Sequence, residues 1–208
     1  MDKEKQKSSK TFSMPAQYIT RIAVLTALSA VLFLILEIPI VAFYKLDFSN
    51  LPVLLGAFSL GPGPAMIILI LKNVIHILFK GLGSTMGIGN LADIIMGAAF
   101  VLPAALMYRK NKSRRTALIG MVVGTICMII AGVLVNWLIL IPVYMKAFHM
   151  DISGIVNMAT DALPFVNTEW KLLLCVTAPF NLLKGFVISL ITFFIYKPLS
   201  SILHVKKR

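Results

Sequence analysis

The chain has 208 residues, 59% of them hydrophobic and 13% charged, with a formal net charge of +12 and a mean hydropathy of +0.91. In a soluble protein that charge would suggest nucleic acid, but so apolar a composition describes a chain dissolved in lipid, and nucleic acid drops out as a partner. At roughly 20 apolar residues per crossing, there is room for about six spans and for no attached soluble catalytic domain.

Met1 to Lys10 is polar and basic, and no small-residue cleavage site follows the first apolar run, so that run reads as a retained helix. It extends from about Thr20 to Ile38. The loop Tyr44 to Asn50 follows, then a short apolar stretch from Leu51 to about Leu60. Gly61-Pro62-Gly63-Pro64 is expected to break the chain, since proline lacks an amide donor and glycine is entropically costly in a helix. A third span, about Ala65 to Phe79, leads into a glycine-rich return. The fourth runs from about Asn90 to Tyr108 and feeds a basic loop, Arg109 to Arg115. The fifth, about Ala117 to Tyr144, exceeds a ~30 Å hydrocarbon core at ~1.5 Å per residue and should project as a wall. Met145 to Trp170 reads as an outer loop with a short interfacial helix, and the last span runs from about Leu172 to Tyr196.

The charges orient these spans. Basic residues at helix ends stay cytoplasmic, and placing both termini inside puts 14 of the 20 Lys and Arg on that side and six of the eight acids at the outer side. The expected fold class is therefore all-α: a polytopic membrane protein of six transmembrane helices with both termini cytoplasmic. It forms a single membrane domain, with a basic tail at 1–17, a bundle over about 18–197 and a second basic tail at 198–208.

Ionisable and amide side chains inside spans cost about 2.5–3.5 kcal/mol each on insertion scales, so they must face protein, water or ligand. Asn181 and Lys184 lie three apart on one helix face, about 14–18 Å from the outer end of the last span, and Asn136 lies about 12 Å below the outer end of the fifth. Three polar groups at one depth define a ligand floor. An amide offers a donor and an acceptor to an imide or amide edge, and the lysine offers a donor to a carbonyl. No carboxylate is among the three, which disfavours a cationic ligand. Trp137, Phe180, Phe186, Tyr44 and Phe48 are candidates to sandwich a flat ring. Asn73, Asn90 and Asp93 are further candidates to contact the ligand. The same polar residues can simply bond neighbouring helices, and Lys72 with His76 and Asp93 also fits a structural network between spans three and four. Cys127 and Cys175 read as inert core thiols. There is no metal-ligand spacing and no phosphate-cradling loop. Ala23, Ala27 and Ala30 give the first span a small-residue strip suited to internal packing or to a partner subunit.

Several segments in order resemble the riboflavin-binding S components of energy-coupling factor (ECF) vitamin transporters: Lys45-Leu46-Asp47-Phe48-Ser49-Asn50-Leu51-Pro52, Gly61-Pro62-Gly63-Pro64, Lys72-Asn73, Asn90-Leu91-Ala92-Asp93 through Val101-Leu102-Pro103-Ala104, and Asn181-Leu182-Leu183-Lys184. The resemblance implies a non-catalytic subunit of the bacterial plasma membrane. It would capture riboflavin outside as a transported ligand rather than a cofactor, and work with a transmembrane coupling protein and two cytoplasmic ATPases. It assigns ring binding to Asn136, Asn181 and Lys184, cover by the first loop to Leu46 and Asp47, and the partner face to Ala23 and Ala27, with Val31 in place of the family's next alanine. The same scaffold carrying thiamin, biotin or folate, or an integral-membrane lipid-modifying enzyme, are the alternatives; the enzyme would need clustered carboxylates, and Glu37, Asp47 and Asp93 are dispersed in sequence.

Overall fold

A computed structural model describes residues 16–41, 44–82, 87–160 and 163–203. Helix α1 (Ala16–Ile35) is followed by a two-stranded antiparallel hairpin, β1 (Ile38–Val41) and β2 (Tyr44–Leu46), with Ile38 opposite Leu46. Then come α2 (Asn50–Leu60), α3 (Pro62–Lys80), α4 (Ile88–Lys110) and α5 (Arg114–Val135). A π-helical turn at Asn136–Leu140 carries α5 without a break into α6 (Ile141–Phe148). After α7 (Ile152–Thr160) and α8 (Glu169–Leu172), a second π-turn at Leu173–Thr177 leads into α9 (Ala178–Leu203). Residues 1–15 of the first basic tail and 204–208 of the second lie outside the described residues, and 198–203 continue α9.

Five helical stretches are long and apolar enough to cross a membrane: Ala16–Ile35, Pro62–Lys80, Ile88–Lys110, Arg114–Phe148 and Glu169–Ile195. The expected second span is the exception in form. With 11 residues, α2 covers only about 16 Å at ~1.5 Å per residue. It is buried along nine of those residues and packs against α1, α3, α4 and α9. A helix buried all round is held by its neighbours rather than by lipid. Gly61 provides the break between α2 and α3, with φ of 102° that a side chain would resist. Pro62 and Pro64, however, lie within the first turn of α3, where a missing amide donor costs nothing; the break is one residue wide, not four.

The bundle has two distinct ends. The Tyr18 hydroxyl donates to the Leu60 carbonyl, so the start of α1 and the end of α2 are level, at the end that also carries Arg109, Lys110, Arg114 and Arg115. At the opposite end Glu37, just past α1, pairs with Lys80 at the end of α3. Between the ends, α4 and α5 pack closely through glycine: a Cβ at Gly120 would lie 3.0 Å from Ala104 Cα, and one at Gly124 would overlap the Phe100 carbonyl oxygen. Leu54, Phe100, Met121 and Ile188 fill this core. Cys175 is exposed on the outside of the bundle rather than in its core. On α1, Ala23 and Ala27 are exposed whereas Ala30 is buried, which removes Ala30 from any surface strip.

Candidate functional site

The end bearing Glu37 opens into a cavity of about 440 Å³. The hairpin supplies Tyr44 to its wall, the loop after it Asp47, α3 His76, and α4 Asn90, Asp93 and Met96. The long α5–α6 helix gives Met128, Asn136, Leu140, Tyr144 and Phe148, and α9 gives Phe180, Asn181 and Lys184. The projecting wall expected of the fifth span is therefore α6.

Of the residues singled out from sequence, Tyr44, Asp47, His76, Asn90, Asp93, Asn136, Phe180, Asn181 and Lys184 all line this one cavity. Leu46, Phe48, Asn73, Trp137 and Phe186 sit elsewhere. Asn73 is fully buried behind the wall, where its Nδ2 donates to Asp93 Oδ2 at 2.9 Å. Leu46 is buried and Phe48 half-buried, neither in the wall. Trp137 faces outward and packs on Trp170, ring centroids 5.5 Å apart; Phe186 is likewise exposed. These two rings belong to the bundle exterior, where aromatic residues anchor at the lipid interface.

At the cavity floor, Lys184 Nζ lies 2.7 Å from Asp47 Oδ2 and 3.6 Å from Asp93 Oδ1. Asp93 is shared, since its Oδ2 also pairs with Lys72 Nζ at 2.9 Å. Lys72 is wholly buried, donating further to Ser49 Oγ at 2.5 Å and Asn50 Oδ1 at 2.8 Å, with the Phe33 ring 4.9 Å away. Ser49 in turn donates from its backbone amide and its hydroxyl to Asp47 Oδ1. The trio of Asn136, Asn181 and Lys184 holds no carboxylate of its own, but acids remote in sequence fold onto Lys184, because the loop after the hairpin tucks Asp47 against α9; the case against a cationic ligand drawn from the trio alone does not hold. Buried charges persist only when paired and hydrogen-bonded in this way. Asp47 lies outside the five long helices. Its burial favours the neutral acid, but the Lys184 and Lys72 charges and the bonds from Lys184 and Ser49 outweigh it and hold the carboxyl well below the usual range.

The two π-turns meet at the level of the floor. Such turns occur frequently at functional sites. Asn136 opens one of them, and Thr177 closes the other. The Tyr44 hydroxyl donates to Asn136 Oδ1 at 3.0 Å and is also hydrogen-bonded to Thr177 Oγ1. Asn136 Nδ2 and Asn181 Nδ2 donate to carbonyls one turn back, Gly132 and Thr177, at 2.8 and 2.9 Å. Each amide is thus fixed in rotation, and the Asn181 amide lies against Gly132 of α5.

The rim was not foreseen as a unit. Glu37 gathers Lys80 at 2.6 Å, Lys45 at 3.2 Å and His76 at 3.2 Å, and the His76 ring stacks on Phe33 with centroids 4.0 Å apart. Partial burial raises the Glu37 pKa, but bonds and charge from Lys80 and Lys45 prevail and leave it lowered. A chain of polar contacts, His76 to Asn90 to Asn73 to Asp93, joins this rim to the floor.

A helical multi-pass bundle with a cavity between its spans lined in part by buried charged and amide side chains has the form of a membrane protein that holds a small ligand. The chain matches the family described as "ECF transporter, substrate-specific component" over residues 17–196, and it belongs to that family. It is similar to the "Riboflavin transporter RibU" of Streptococcus thermophilus, 31% identical over 88% of this chain and 84% of that protein. A protein of the same name from Staphylococcus aureus is also 31% identical, over 88% and 89%. The "Riboflavin transporter FmnP" of Bacillus subtilis is 24% identical over 83% and 88%. Among solved structures, the chain from "Structure and mechanism of the S component of a bacterial ECF transporter" superposes with a TM-score of 0.68 at 27% identity, over 90% of this chain and 97% of that one.

Proposed function

We propose that this protein is the riboflavin-capturing S component of an ATP-driven ECF importer, with its cavity open to the outside of a bacterial plasma membrane and its basic end in the cytoplasm. The observation that carries the reading is the convergence of Asn136, Asn181 and Lys184 on a cavity whose volume suits a ring-sized ligand. Lys184 has a third hydrogen for a ring carbonyl while two serve carboxylates, and Asn181 Oδ1 accepts from an imide N–H. Tyr44 and Phe180, with centroids 5.1 Å apart, supply the aromatic side of the site. The floor balances two lysines against two aspartates, which favours an uncharged ring over cationic thiamin or the carboxylates biotin and folate.

The protein itself performs no chemistry on the vitamin. Energy comes from two cytoplasmic ATPases acting through a transmembrane coupling protein, which meets the exposed Ala23 and Ala27 of α1. The test is direct. Purified from cells, the protein should carry a flavin absorption spectrum and quench added riboflavin fluorescence, with no response to thiamin, biotin or folate. Asn181→Ala and Lys184→Met should weaken riboflavin binding by roughly ten- to a hundredfold with thermal unfolding still cooperative; unchanged quenching by both variants rejects the site.

A further inference from the structure

Lys72 has no place in the cavity wall and no exposed surface, yet it is one corner of the charge arrangement under the floor. The order in space is Lys72, Asp93, Lys184, Asp47, with successive contacts of 2.9, 3.6 and 2.7 Å. Lys72 also bonds to Ser49, the residue that bonds to Asp47, so the four charges close into a ring of alternating sign with no net charge. Only three of the four line the cavity.

Resting on the proposed function, we infer that this ring sets the charge of the ligand accepted, and that Lys72 is a specificity-determining residue acting through the field rather than by contact. The reason is electrostatic. In a site shielded from water a full charge acts over many ångströms, so a ligand edge at Lys184 feels Asp93 and Lys72 as well as the ammonium it touches. With the ring balanced, an uncharged heterocycle gains hydrogen bonds without disturbing the field, while an anionic one meets Asp47 and Asp93 and a cationic one meets the lysines. Deleting one charge from the ring should therefore change ligand preference with a sign fixed by the charge removed, whether or not that residue can reach the ligand.

The experiment compares riboflavin with a planar flavin bearing a ring hydroxyl that ionises below neutral pH, so that the two ligands differ mainly by one negative charge on the ring. Both affinities are measured at neutral pH for the wild type, Asp93→Asn, Lys72→Met and the double variant. The wild type should prefer the neutral ring. Asp93→Asn, which leaves an excess cation, should raise the affinity ratio of anion to neutral by roughly tenfold, and Lys72→Met should lower it by a similar factor. The double variant retains one lysine and one aspartate and should return to the wild-type ratio within about twofold. A merely structural role for these residues would weaken both ligands together without opposite signs. If Asp93→Asn does not fold, Lys72→Met and the double variant still differ by one charge and must differ in ratio. One ratio shared by all folded variants that bind riboflavin overturns the inference and leaves the proposed function standing; a wild type that does not bind riboflavin overturns both.

Discussion

The two halves of the bundle solve opposite problems. Towards the basic end, α4 and α5 touch through Gly120 and Gly124, and Leu54, Phe100, Met121 and Ile188 close the core. Towards the open end the same helices part around about 440 Å³, two helices carry π-turns, and two lysines and two aspartates are buried together. Close packing is the ordinary state of a protein interior; the open half departs from it in volume, backbone regularity and charge at once. The packed half fixes the helix positions from which the open half can keep a cavity and buried ions.

The strongest way to break this division is to damage the packed half. Gly124→Val places a side chain where the Phe100 carbonyl oxygen already lies, so α4 and α5 must separate, at a cost of about 3 kcal/mol or more. Thermal unfolding in detergent should show a large fall in stability, and riboflavin binding should fall with it although no cavity residue has changed. Binding retained at wild-type strength would mean that the open half stands by itself.

A smaller substitution sharpens the boundary between the halves. Gly132 sits one turn before Asn136 on α5, and a Cβ there would come within 2.5 Å of Asn181 Nδ2. Gly132→Ala should rotate that amide away from its bond to Thr177 and lower riboflavin affinity about tenfold, with stability reduced by less than in Gly124→Val. Gly63→Ala, where a Cβ meets nothing within 4 Å, serves as the control and should leave affinity unchanged.

How legible each half was in the sequence follows the same division. Long apolar runs and basic clusters are local signals, and they marked five crossing-length helices and the common depth of Asn136, Asn181 and Lys184. The extra loop helix, α7, also came from local polarity. What stayed hidden depends on contacts between distant segments. Asp47 lies 137 residues from Lys184, and nothing in the spacing of either shows that the loop after the hairpin folds onto α9. The β-hairpin itself is only seven described residues, too short for an alternation pattern. Ala30 was misplaced because a small-residue strip does not reveal which of its members turn inward, and Trp137 because one aromatic residue at an outer helix end suits both a pocket and the lipid interface. The Glu37 rim joins the end of α1, the hairpin and α3, and so was readable only once those three were seen to meet.

That rim supplies the mildest test, because it is where the open half returns to water. Lys45 and Lys80 are substantially exposed, with side-chain exposures of 57% and 39% against 13% for Glu37, so the cluster should contribute under about 1 kcal/mol. The Glu37 pKa is lowered in the folded protein, chiefly by Lys80 and Lys45 acting against its burial. A carboxyl of lowered pKa stabilises the fold above its ordinary value of about 4.3 and loses that contribution as pH falls through the folded value. The wild type should therefore exceed Glu37→Gln slightly in thermal stability at neutral pH, and the gap should close below about pH 4. Riboflavin affinity at neutral pH should fall only a few-fold in Glu37→Gln, since the rim orients the hairpin without touching the floor. A loss as large as that of Lys184→Met would mean that the rim, which shares the cavity wall, holds the ligand as strongly as the floor does.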